Sequence, residues 1–199
     1  MTRSARELGL LCLALFAGIF LIAQPAQGEM LDSKGADSRL LLAFDAPDAG
    51  VTATLPVGWS VAPFGSGPFS RANVVLVFVD AHQYLEPYGN PKNGGRYRGV
   101  SMVIPARFEG LDETVFVVSQ GYISDAAINP YNNYVVAEVT RQVQATGTGG
   151  TPASVRESWA IAPETGGEVA LSVAYQRGVP ARAYPRLNES WGIPIRAMT

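Results

Sequence analysis

Short apolar or alternating runs of 5 to 10 residues recur along this chain between clusters of Gly, Pro and Asn, which is the period of strands and not of helices. They predict strands over residues 40–44, 51–55, 74–79, 100–105, 114–123, 134–145, 154–161 and 169–177. The run Val74-Val75-Leu76-Val77-Phe78-Val79 has no polar position and is expected to be buried on both faces. By contrast, Val135 to Val143 alternates and is expected to show one face to water. The single predicted helical turn starts at Ser124 or Asp125, each a good N-cap, and Pro130 ends or bends it. The expectation is an all-β, mainly antiparallel fold, a sheet curled around its core with very little helix.

Residues 1–28 stand apart from this pattern. Arg3 and Arg6 precede an apolar run over residues 8–23, and Ala26-Gln27-Gly28 places small residues at the −3 and −1 positions. That is the form of a secretory signal peptide. The 16 residues of the run fall short of the roughly 20 needed to span a bilayer, so no membrane span is expected after cleavage. The mature chain is then a single domain over residues 29–199, exported to the periplasm or secreted. Its one cysteine, Cys12, would be lost with the leader, leaving neither disulfides nor a thiol nucleophile.

Charge changes the picture only by exclusion. Removing Arg3, Arg6 and Glu7 from 15 basic and 17 acidic residues leaves 13 and 16, a formal charge of −3. Nothing basic is clustered, so nucleic acid is not an expected partner. Lys34 and Lys92 are the chain's two lysines, a scarcity that matters to any amine-dependent mechanism. His82 is the single histidine; with Asp80 and Glu86 it makes an Asp-x-His-x-x-x-Glu grouping, but divalent sites draw on more imidazole or thiolate than this, and no metal or cofactor is expected. Ser119, Ser124 and Ser172 carry hydroxyls without a Gly-x-Ser-x-Gly turn. Asp112, Glu113, Glu157 and Glu168 read as turn or solvated carboxylates before they read as a glycosidase pair.

Four segments carry a family resemblance: Leu55-Pro56-Val57-Gly58-Trp59, the strand from Val74 to Asp80, the run from Tyr97 to Gly110 that includes Ile104-Pro105 and Phe108-Glu109-Gly110, and Asp125-Ala126-Ala127-Ile128. In order and spacing they resemble the acetoacetate decarboxylase superfamily. The resemblance implies a closed or cone-like β-barrel with a pocket in its mouth. It also implies what is missing. The family's Tyr-x-Glu has Gly99 where the Glu belongs, and between Ile128 and Val135 there is only Asn129-Pro130-Tyr131-Asn132-Asn133-Tyr134 in place of the segment bearing the reactive lysine. Schiff-base catalysis needs a desolvated amine of lowered pKa, for which acetoacetate decarboxylase itself is the worked example. No lysine here matches that position, and Lys92 lies in a Pro-Gly-Asn loop where it is expected to stay solvated and protonated.

The resemblance places Tyr97, Tyr122, Tyr131, Tyr134 and Trp159 around the former active site, with Arg98 or Arg141 available to clamp a carboxylate in a bidentate fashion. The reading that follows is an exported protein that binds a small organic acid or lipid-like molecule, without Schiff-base decarboxylase activity; a homo-oligomer is compatible with it. Two other classes stay open: a lyase or hydrolase acting through carboxylates and tyrosines, and an envelope module whose aromatics simply fill a core. If the alignment holds, Gly99 faces the interior and the shortened segment after Ile128 widens the cavity.

Overall fold

The computed structural model describes residues 33–67, 69–112, 114–129, 132–147 and 153–178, together with the backbone of 195–197. The strands are β1 (Lys34–Phe44), β2 (Trp59–Val61), β3 (Val74–Leu85), β4 (Tyr97–Phe108), β5 (Thr114–Ile123), β6 (Tyr134–Thr146), β7 (Ser154–Pro163), β8 (Val169–Gln176) and β9 (Ile195–Ala197), with one short helix, α1 (Asp48–Thr52). They form a continuous path β1-β3-β4-β5-β6-β7-β8, with β2 added beside β4 and β9 beside β5. Every junction of the path is antiparallel except one. β5 and β6 run parallel and share only three residue pairs, Gly121 to Ile123 against Tyr134 to Val136.

Residues 51–55, read from their β-branched composition as a strand, are in fact helix and turn. The physical reason lies in flanking anchors that no propensity records. Asn73, fully buried, accepts the backbone N–H of Ala46 at 2.8 Å and donates Nδ2 to the Ala46 carbonyl at 2.6 Å and to Asp48 Oδ1 at 2.8 Å. This fixes the entry to α1, and Val51 then turns inward onto Val74, Ile104, Ala106, Val115 and Val117. Local propensity is a weak prior, and tertiary contact overrides it here. The turn expected at Ser124 or Asp125 does form: Asp125 Oδ1 accepts the Ala127 N–H at 2.9 Å, and Ile128 N–H reaches the Asp125 carbonyl at 3.1 Å. Pro130 lies outside the described residues.

The sheet curls into a half-barrel. β3 and β7 stand four strands apart in the path, about 19 Å if the sheet were flat, at roughly 4.8 Å per strand. Yet the rings of Phe78 on β3 and Trp159 on β7 lie 5.3 Å apart. The space between them is the core: Phe78, Val100, Ala137, Val139, Trp159 and Ile161, with Leu40, Leu42, Leu76, Tyr122 and Leu171 packed against it. Strand alternation puts residues 76, 78 and 80 of β3, 98 and 100 of β4, 137, 139 and 141 of β6, and 157, 159 and 161 of β7 on this inner face. The outer face of β3 to β5 is covered too. Phe64 packs on Phe116 at 5.4 Å, and Val75, Val118 and Ile123 are almost wholly buried.

Candidate functional site

Three of the charged side chains on the inner face belong to strands that read as apolar or alternating. Asp80 ends the run that begins at Val74, two positions on from Phe78; Glu157 lies between Val155 and Trp159; Arg141 lies two positions beyond Val139. Their parity with core residues turns them inward, where an unpaired charge is costly. They satisfy one another. Asp80 Oδ1 accepts Arg98 Nε at 3.0 Å and Oδ2 accepts an Arg141 terminal nitrogen at 3.0 Å. Arg141 Nε donates to Glu157 Oε1 at 2.8 Å, Trp159 Nε1 donates to the same oxygen at 2.8 Å, and the Tyr175 hydroxyl donates to Oε2 at 2.9 Å. The guanidinium of Arg141 also lies over the Trp159 ring, 5.3 Å from its centre.

This chain of contacts crosses β4, β3, β6, β7 and β8. Burial pushes the Asp80 carboxyl up, but the hydrogen bonds and charges of Arg141 and Arg98 outweigh it and hold the group below its usual range. Glu157 is likewise raised by burial and lowered further by Arg141, Tyr175 and Trp159, so it also ends below its usual range. Tyr175 moves up, because burial and the facing Glu157 disfavour its phenolate.

Next to Asp80 a pocket of ≈ 460 Å³ opens at the end of the half-barrel, a size in the usual range for small-molecule sites. It is lined by Asp80, Ala81, His82, Arg96, Tyr97, Arg98, Ser124 and Val139. Its polar lining is rich in donors. Arg98 makes one side-chain contact among the described residues, to Asp80, and leaves its terminal nitrogens to the pocket. Arg96 pairs with no described residue. The Ser124 hydroxyl accepts the Arg98 N–H at 2.9 Å and keeps its own proton to give, and His82 Nε2 shares a hydrogen bond with Ser38 at 2.8 Å. Both Asp80 oxygens are already engaged.

The expected site residues divide between the two faces. Arg98, Tyr122 and Arg141 are inward; Arg98 lines the pocket, Tyr122 packs in the core, and Arg141 is spent on Asp80 and Glu157. Tyr97 contributes to the pocket's rim with its ring edge-on to Tyr84 at 5.5 Å. Tyr134 is on the outer face, its hydroxyl bonded to Ser101 and its ring over Gly121. Tyr131 lies outside the described residues. Gly99 pairs with Ile123 and, alternating with the core residue Val100, faces outward and not toward the interior. A β-carbon there would stand 2.7 Å from the Tyr122 carbonyl oxygen, so the position is closed by backbone and adds nothing to the cavity.

Among the described residues no group of three or more His, Cys, Asp and Glu side chains is placed to hold a metal; Asp80 is engaged by arginines and His82 by Ser38. Arg96 and Tyr175 carry no motif and were not singled out by the sequence. The usable signal for Asp80 and Glu157 was a charge at core parity in a strand.

No protein-family model matches the sequence, and a search of curated proteins finds no match. Solved structures do match. The enduracididine biosynthesis enzyme MppR with HEPES buffer bound superposes with a TM-score of 0.59 over 86% of this chain and 64% of that one, at 14% identity. The complex of MppR with pyruvate gives 0.57 over 86% and 66%, at 15% identity. A crystal structure of acetoacetate decarboxylase from Legionella pneumophila aligns at 0.38 and 11% identity over 72% of this chain. The chain thus spans slightly under two thirds of the length of MppR. At that identity, what MppR shares with it is a fold.

Proposed function

We propose that this protein binds a small organic anion, a carboxylate with a neighbouring carbonyl or hydroxyl oxygen, in the pocket beside Asp80. The observation that carries the reading is the pairing of its polar groups: Arg96, the terminal nitrogens of Arg98 and the Ser124 hydroxyl offer donors, while the one lining carboxylate already accepts from two arginines. Guanidinium donors suit a carboxylate in bidentate geometry. Counting Asp80 as −1 and Arg96 and Arg98 as +2, the lining carries +1 and matches a monoanion. A 2-amino acid fits worse, because the one lining carboxylate that could take its ammonium already accepts from two arginines. The complex of MppR with pyruvate, on the same fold, supports this class.

The chemistry proposed is binding without a Schiff base. Lys34 is exposed at the start of β1, and the Lys92 ammonium rests over the Tyr84 ring at 5.6 Å. Neither lysine lines the pocket. Glu157 does not serve as a general acid or base in this reading, since both of its oxygens are bonded. The protein works, on this proposal, outside the cytoplasm after loss of residues 1–28, and the intact mass of the exported form, beginning at Glu29, checks that part.

Titration of the purified protein with pyruvate, acetoacetate and alanine, followed by calorimetry or NMR, tests the ligand class. Binding of the two oxo acids and none of alanine is expected; equal binding of alanine overturns the donor argument. Borohydride reduction in the presence of acetoacetate is expected to add no covalent mass. A stoichiometric adduct on Lys92 would return the protein to amine catalysis.

A further inference from the structure

We infer that Arg141, although it lies on the inner face, is a positioning residue for the anion site and not a ligand contact: by holding the second oxygen of Asp80 it keeps the terminal nitrogens of Arg98 turned to the pocket. The inference rests on the anion-binding reading above and assigns its control.

The geometry is specific. Asp80 has two oxygens and two arginines, one each: Oδ1 to Arg98 Nε and Oδ2 to Arg141, both at 3.0 Å. A carboxylate facing a guanidinium alone takes it in a two-pronged grip that uses Nε and a terminal nitrogen together. Arg141 competes with that grip by drawing Oδ2 toward itself. It is itself locked by Glu157 at 2.8 Å and by stacking on Trp159, and its side chain is only 14% exposed against 43% for Arg98. Arg141 is absent from the pocket lining, whereas Arg98 is part of it. The anchor is also remote in the sheet. Arg141 belongs to β6, across the parallel seam from β3 and β4, and among the described residues its pair with Asp80 is the one ion pair that crosses that seam. The placement of β6 to β8 is thereby conveyed to Arg98 through one carboxylate.

Replacing Arg141 with an uncharged residue lets Asp80 close on Arg98 in the two-pronged grip and draw it out of the pocket. The experiment compares wild type, Arg141→Met, Arg141→Gln, Arg141→Lys and the double variant Asp80→Asn/Arg141→Met. Two quantities are read for each: the pyruvate dissociation constant, and the side-chain ¹⁵N resonance of Arg98 in ligand-free protein, assigned with Arg98→Lys. Arg141→Met is expected to weaken pyruvate about tenfold and to shift the Arg98 signal, and Arg141→Gln gives the same reading if the methionine variant does not fold. Arg141→Lys, which keeps a cation on Asp80, is expected to bind within about threefold of wild type. The double variant is expected to recover affinity, because no carboxylate is left to capture Arg98; a merely structural loss would not be repaired by a second one.

An unchanged Arg98 signal in Arg141→Met and Arg141→Gln overturns the inference, whether or not affinity falls. Failure of the double variant to recover affinity also overturns it. If wild type binds no pyruvate, the ligand reading fails by itself, and the Arg98 signal alone decides the positioning role: moved supports it, unmoved rejects it.

Discussion

The two faces of β4 bury polar groups by opposite means. On the inner face Arg98 joins a chain of full charges that runs through Asp80, Arg141 and Glu157 to Tyr175. On the outer face Ser101 and Tyr134 satisfy each other as neutral hydroxyls, and the space for the Tyr134 ring comes from the missing side chain of Gly121. One face therefore depends on charge and the other on shape. Arg98 and Gly99 are neighbours in sequence and belong to different chemistries, because a strand turns successive side chains to opposite sides.

The comparison breaks most severely at the charged face. Glu157→Ala leaves Arg141 half-paired and the donors of Trp159 and Tyr175 without an acceptor. A loss of about 3–5 kcal/mol is expected, the usual cost of removing one member of a buried ion pair; urea unfolding measures it. Acid reaches the same face. Asp80 and Glu157 titrate below their ordinary values of 3.8 and 4.5 when folded, so the stability they contribute is present above those values and is lost as the pH falls through the lower, folded ones. The thermal midpoint is expected to drop below about pH 4, and less so in Asp80→Asn, which already lacks one of the two carboxylates. At the other extreme, the raised Tyr175 contributes stability below its ordinary pKa of 10.0 that is lost as the pH rises through its folded value.

Shape sharpens the contrast. Gly121→Ala would place a β-carbon 2.6 Å from the Val100 carbonyl oxygen and 2.7 Å from the Tyr134 ring. About 1–3 kcal/mol of destabilisation is expected, as for overpacking generally, with no change in anion affinity. Gly65→Ala, with nothing within 4 Å, serves as the control and is expected to be neutral. The smallest effect is assigned to Tyr134→Phe, which removes the hydrogen bond to Ser101 and costs about 1 kcal/mol. If Tyr134→Phe altered pyruvate binding as strongly as Arg98→Met, the separation of the two faces would not hold.

Much of the architecture was legible from period alone. The strand over 114–123 matches β5 to the residue, and the boundaries of β6, β7 and β8 differ by at most two residues from those predicted. What period did not reach was decided by distant partners. Residues 51–55 became α1 and a turn because Asn73, more than 20 residues away, pins the entry. The two extra short strands, β2 and β9, exist through pairing with β4 and β5 and have too few residues to show a pattern. For the pocket lining, Arg98 was legible, since it lies in the best-matched run. Tyr134 and Gly99 were assigned to the same cavity by proximity to a motif, and strand parity separates them from it. Glu157 was read as a solvated carboxylate, although its place between Val155 and Trp159 marked it as inward.

The parallel seam also bears on how the chain reaches this structure. β3, β4 and β5 follow one another as antiparallel neighbours, as do β6, β7 and β8, so each group can form from contacts close in sequence. The bridge from Asp80 to Arg141 across 61 positions requires both groups to be in place. Contacts of long sequence separation close late, after the entropy of the intervening loop has been overcome. The bridge that holds Asp80 is thus expected to close late in folding. Substitutions at Arg141 are accordingly expected to accelerate unfolding more than they slow refolding, which stopped-flow kinetics in urea checks.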